Sequence, residues 1–206
     1  DHKSELHLVL GDTPPPLDEN QSDPPQELPV PFGAFGRFEL PAQQNIRFEH
    51  ATLWTSSTVG IIEDGCLVIR DGDIAFAGSM DKAPRPSSSE EIVDATGLHI
   101  TPGLIDAHSH TGLRGGVNEW TQANTAEVRM SDVINPDDIN FYRQLAGGLT
   151  TANQLHGSAN PIGGQSSVVK LRWGASSDDM RFTQATPAIK FALGENVKRS
   201  SQRYPN

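Results

Sequence analysis

From Asn45 onward, apolar and polar positions alternate in short runs, the pattern of strands that bury one face. Ile46, Phe48, Ala51, Leu53 and Trp54 predict a strand that breaks near His50, where the alternation skips a position. Leu67-Val68-Ile69-Arg70 and Ile74-Ala75-Phe76-Ala77 flank Asp71-Gly72-Asp73. An Asp-Gly pair between apolar runs is a strong hairpin signal. Glu91-Ile92-Val93-Asp94 predicts a further short strand, and Gly97-Leu98-His99-Ile100 leads toward another. Short strands joined by tight turns predict a small antiparallel sheet of the sandwich type.

The rhythm changes after residue 110. Asn135-Pro136-Asp137-Asp138 predicts a helix start, with Asn135 as cap, proline at the first position and acids in the first turn. Ile139, Tyr142, Leu145 and Ala146 then recur at helical spacing, and Gly147-Gly148 predicts the end. Leu149 to Leu155 reads as a strand rich in threonine. Strand, helix, strand implies a parallel sheet or barrel. Ser167 to Arg172 and Ala188 to Leu193 are further strand candidates, the latter also able to open a helix. No internal repeat is present.

Residues 1–44 differ from the rest. Eight of the chain's 15 prolines fall there, among acids and amides. Such a segment cannot bury enough apolar surface to fold alone, so it is expected to be mobile or to lie extended on another surface. Phe32, Phe35 and Phe38 are its candidate anchors.

Composition narrows the function classes. A net charge of −10 and the lack of a basic cluster beyond Lys198, Arg199 and Arg203 argue against binding nucleic acid. Cys66 is the only cysteine, which excludes an intramolecular disulfide and a cysteine-based zinc site. Its apolar surroundings predict a small buried hydrophobe. No apolar run has the length of a membrane span. The proline-rich leader and the start at Asp1 are compatible with an exported, processed protein.

Chemistry concentrates in Thr101-Pro102-Gly103-Leu104-Ile105-Asp106-Ala107-His108-Ser109-His110. Strand alternation puts Asp106, His108 and His110 on one face. Two imidazoles at that spacing can grip one divalent metal, with the carboxylate beside them steering or neutralising. Two polar residues at a strand end would also produce the triplet, but here an apolar pair carries the strand and the histidines emerge at its C-terminal end, where parallel barrels keep functional groups. His156 follows the next strand and is open to two roles, facing a substrate or making structural hydrogen bonds. The glycine-rich stretch Gly157 to Gln165 lacks the Gly-Lys-Ser/Thr ending of a phosphate loop, so its glycines predict close backbone approach. His2, His7, His50 and His99 have no metal-like context.

Three ordered blocks, Asp71 to Gly78, Val93 to Gly97 and Thr101 to His110, resemble the amidohydrolase superfamily. Gly157 to Gln165 and Lys190 to Asn196 further resemble its imidazolonepropionase-like and prolidase-like branch. The resemblance implies an α/β chain: a small N-terminal β-sandwich followed by the first strands and helices of a TIM-like (β/α)8 barrel, incomplete in this chain. It divides the sequence into the proline-rich segment 1–44, a sandwich part 45–100 and a barrel part 101–206.

The same resemblance implies one or two divalent ions, zinc by ligand type, held by His108 and His110 with a later lysine or glutamate. Lys190 fits that place as a metal-bridging carbamate, since an ammonium has no lone pair to give, and Glu195 is the competing ligand. Asp106 becomes a group that orients a ligand. Family members carry two more histidines and an aspartate base on later strands. No histidine follows His156 here, so the expectation is a C-terminal fragment or second chain that completes the barrel, with a homodimer compatible. The reaction implied is metal-assisted hydrolysis of an amide, peptide or cyclic amide C–N bond in a small or dipeptide-like substrate. The alternative is a binding or assembly module that keeps the fold without the chemistry.

Overall fold

The skipped position near His50 is where the first strand bends. In the computed structural model, which describes residues 26–200, β1 (Ile46–Trp54) pairs antiparallel with β2 (Ile61–Arg70), and their register slips between Phe48 and Ala51. His50 absorbs the slip at φ 63°, and its Nδ1 lies 2.9 Å from an Asp64 carboxylate oxygen on β2. β2 turns into β3 (Asp73–Ser79) through Asp71 and Gly72, at φ 52° and 83°, the left-handed pair that a two-residue hairpin requires.

The sheet is not all antiparallel as expected. β4 (Glu91–Asp94) and β5 (His99–Ile100) both run parallel to β1, giving a five-stranded mixed sheet in the order β3-β2-β1-β4, with β5 also on β1. The cause is the connection: residues 80–90 cross back over the sheet, and only a tight hairpin forces antiparallel pairing. Buried charge fixes that crossover. Arg47 on β1 is fully enclosed and binds the Glu49 carboxylate and the Pro84 carbonyl. Arg70 on β2 donates to Glu90 at 2.6 Å. Ala51, Leu53 and Ala95 form the apolar centre beside β1, with Cys66 buried as expected and its thiol pushed up by burial.

The second half begins with β6 (Leu104–Ser109), followed by α1 (Ile139–Ala146) and β7 (Leu149–Gln154). β6 and β7 pair parallel, as the strand-helix-strand pattern requires. The helix cap is Asp138 rather than Asn135. Its carboxylate accepts from the Asn140 N–H at 2.9 Å, so the Asn-Pro-Asp run forms the approach to the helix. Gly147 closes the helix and Gly148, at φ 90°, turns the chain into β7.

β8 (Ile162–Gln165) and β9 (Ser167–Lys170) come next, then α2 (Ser177–Met180), β10 (Ile189–Phe191) and α3 (Glu195–Ser200). The second half of the glycine-rich stretch is β8, whose Gly163 and Gly164 are buried. The parallel direction that a barrel implies for the later strands needs correction. β9 pairs antiparallel with β7, as no crossover helix separates them, and β10 pairs antiparallel with β8. The described residues form a mixed α/β fold with three sheets and no closed barrel.

Phe141, Ala152, Val169, Leu171, Trp173 and Met180 make the core under α1. Of the three phenylalanines of the leading segment, Phe35 stacks its ring on Tyr142 with centroids 4.5 Å apart, and its carbonyl accepts from Trp173 Nε1 at 2.8 Å. Phe32 and Phe38 stay exposed. The proline-rich stretch before residue 26 lies outside the described residues. No described helix is long and apolar enough to cross a membrane.

The Glu90 side chain is fully enclosed. Burial pushes its carboxyl up, but the Ser87 N–H and the Arg70 guanidinium outweigh this and hold it below the ordinary range. A depressed folded value means stability present at neutral pH and lost as pH falls through that value. Glu90→Gln should therefore lower the thermal midpoint at pH 7, and the gap from the wild type should close on acidification below about pH 4. Thermal denaturation monitored by circular dichroism across this range checks it; a gap independent of pH would exclude the charged pair as the cause.

Candidate functional site

His108 and His110 stand at the C-terminal end of β6, both exposed, with ring centroids 5.1 Å apart and nearly perpendicular. His110 Nδ1 lies 2.8 Å from the Leu155 carbonyl oxygen. A carbonyl can only accept, so Nδ1 is the donor, and in the neutral ring Nε2 is the nitrogen with the lone pair. The β6–β7 pairing supplies that carbonyl: the Leu155 N–H donates to Ser109 just where β7 ends. Asp106 accepts from the backbone N–H of His108 at 2.9 Å, so it braces the strand under the histidine rather than its ring.

Lys190, half-buried in the middle of β10, places Nζ 3.4 Å from His108 Nε2. The fold thus brings together three residues singled out in the sequence, across a separation of 82 positions. Among the described residues, no group of three or more His, Cys, Asp or Glu side chains could hold a metal ion. The third member beside the histidines is an amine.

The other candidates lie differently. Glu195 opens α3 and lines the same cleft as Lys190, but its carboxylate pairs with Lys198 Nζ at 2.7 Å. His156 is fully buried. Its Nε2 accepts from the Glu119 N–H at 2.8 Å, and its Nδ1 donates to the Gly157 carbonyl at 2.9 Å, so both nitrogens are engaged within the protein. His50 and His99 lie in the first sheet, His99 accepting from Trp54 Nε1 at 3.0 Å. His2 and His7 lie outside the described residues.

Sequence reasoning missed the segment after the histidines. Asn118 and Trp120, with Ser158 and Asn196, line a cleft of about 360 Å³ against His110. Buried Asn160 ties this segment down, its Nδ2 donating to the Glu119 carbonyl at 2.7 Å and the Gln122 carbonyl at 2.9 Å. The Glu119 carboxyl caps Thr121, whose hydroxyl and N–H hold it below the usual range. A lone tryptophan in a polar stretch soon after the histidines was the available signal. The glycines of β8 serve close packing: a Cβ on Gly163 would sit 2.8 Å from His156 Nδ1, and one on Gly164 2.7 Å from the Val128 carbonyl oxygen.

No family model matches the chain. Individual proteins do. An imidazolonepropionase of Brucella suis is 36% identical over 157 residues, which is 73% of this chain and 32% of the relative. A 5-methylthioadenosine/S-adenosylhomocysteine deaminase of Symbiobacterium thermophilum is 32% identical over 114 residues, 50% of this chain and 26% of that protein. The crystal structure of an amidohydrolase from Thermotoga maritima superposes with a TM-score of 0.66 at 34% identity, covering 76% of this chain and 41% of that one. The chain belongs to the amidohydrolase superfamily, matching the N-terminal part of its members. It spans about a third of the length of the imidazolonepropionases it resembles.

His156 cannot swing aside without losing both its bonds, so Gly163→Ala should overpack the site. The expected loss is about 1–3 kcal/mol of stability, read as a lower urea midpoint with an unchanged slope. An unaltered midpoint would show that β8 can shift at no cost.

Proposed function

We propose that this chain supplies the first half of the metal site of an amidohydrolase that cleaves an amide, peptide or cyclic amide C–N bond. The observation that carries the proposal is the meeting of His108, His110 and Lys190 at the end of β6. In the same reading, residues 45–100 form part of a small sandwich, and β6, α1 and β7 open a TIM-like barrel. The parallel β6–β7 pair with a helix between supports the barrel start. The remaining ligands, the general base and the rest of the barrel come from residues outside the given sequence, in the same protein or a second chain.

The donor set fits a divalent cation such as zinc. The histidines offer imidazole nitrogens, and the proton on His110 Nδ1 is held away by Leu155. Lys190 fits only after carbamylation, because its ammonium has no lone pair; carbon dioxide would add to the neutral amine with loss of one proton, giving a carbamate with two oxygen donors. A divalent cation, when bound, polarises the scissile carbonyl and lowers the pKa of water. The protein's own contribution is to bring the two rings at the end of β6 and the lysine on β10, strands of two different sheets, to one place, with Asp106 fixing the backbone beneath His108.

Two measurements test this. Zinc content by elemental analysis should fall to background in the paired variant His108→Ala and His110→Ala while the circular dichroism spectrum is retained. Unchanged zinc would remove the metal site from these residues. Protein equilibrated with ¹³C-labelled bicarbonate should show a carbamate carbon resonance that is absent from Lys190→Ala, and propionate should restore part of the zinc that this variant loses. A fully metallated Lys190→Ala protein would exclude Lys190 as a bridging ligand.

A further inference from the structure

Among the described residues, Gln154 alone has both ends of a polar side chain buried without a partner. Neither its Oε1 nor its Nε2 makes a hydrogen bond, and the residue has no exposed surface. Asn153 and Asn160 each leave an oxygen unpaired but bond through the amide nitrogen. An amide enclosed with nothing to bond costs a large share of the small net stability of a domain, so Gln154 calls for a partner.

Its position narrows what that partner is. Gln154 ends β7 and stands opposite Ser109, which ends β6. Two residues earlier on β7, Ala152 packs into the core under α1. Strand alternation therefore turns Gln154 and Ser109 to the α1 side of the sheet, away from His108 and His110. A chain of polar contacts runs along that side. Ser109 Oγ accepts from the Thr111 N–H at 3.3 Å, and Thr111 Oγ1 accepts from Nε2 of Gln144, on α1, at 2.9 Å. The Gln144 Oε1 at the end of this chain is again buried without a partner. Turning the Gln144 amide over would only exchange the end that is left.

The unpaired set is thus two amide oxygens and one NH₂. A cation would meet the oxygens and leave the NH₂ unmet, and an anion would do the reverse. Water both donates and accepts, so it alone of these matches the set. We propose that the space between α1 and the ends of β6 and β7 is an internal water site, where bound water accepts from Gln154 Nε2 and donates to the oxygens of Gln154 and Gln144. Water held there ties α1 to the strand ends directly behind the two histidines. The site does not depend on the metal-site reading given above.

The test is nuclear magnetic resonance of the ¹⁵N-labelled protein. The Gln154 side-chain NH₂ should show a cross-peak to water with the sign of a long-lived bound molecule, and Ser109→Ala should keep it, which excludes relay through the serine hydroxyl. No such cross-peak, or one lost in Ser109→Ala, would overturn the site. This reading is made without altering Gln154 or Gln144, so it stands even where a variant of either fails to fold. Urea denaturation gives the second measurement. Gln154→Met and Gln144→Met, similar in length but unable to bond water, should each lower the folding constant about tenfold. The double variant should lose less than the two losses combined, since both side chains serve the same water. A raised midpoint in Gln154→Met would mean a dry, unsatisfied amide, and strict additivity would mean no shared water. A midpoint that changes between sodium and potassium at fixed ionic strength would put a cation there. Each of these three results overturns the proposal.

Discussion

Parallel pairing of β6 with β7 is the constraint on which the candidate site depends. Parallel neighbours cannot be joined by a tight turn, so the chain must leave the sheet and return through a covered crossover. Here α1 provides the cover, with Phe141 inserted over Ala152 and Val169. The pairing has a chemical consequence at its far end. It brings the carbonyl of Leu155, one residue past β7, against His110, one residue past β6, and so makes Nδ1 the nitrogen that donates.

The residues around the histidines divide into those that display and those that hold. His108 and His110 are exposed, and Lys190 is half-buried beside His108. Asp106, His156 and the Asn160 amide nitrogen bond to backbone groups, largely within segments that carry no regular structure. This division explains a costly feature. Burying a histidine and an asparagine is unfavourable unless their hydrogen bonds are satisfied, and here most of those bonds go to a loop that could not order itself by apolar burial.

Local features were legible in the sequence where one short stretch determined them. The Asp71-Gly72 hairpin, the bend at His50, the end of α1 at Gly147-Gly148 and the buried Cys66 all follow from residue type and immediate spacing. The approach of Lys190 to His108 was expected only by likeness to the amidohydrolases, since nothing in the spacing of two residues 82 positions apart encodes contact. Strand direction was the least legible property. β4, β5 and β9 were misjudged because direction is set by the path of the connection, and an irregular crossover such as 80–90 has no period. His156 shows the remaining ambiguity: a histidine after a strand looks the same in sequence whether its ring meets a substrate or the N–H of Glu119.

Cys66 has a consequence beyond its place in the first sheet. It is the only thiol in the chain, it has no exposed surface, and burial pushes its ionisation up. The reactive form of a cysteine is the thiolate, so both enclosure and protonation keep it silent while β1, β2 and β3 remain closed. The rate at which an alkylating reagent consumes it is therefore a clock for opening of that sheet, readable without introducing any label.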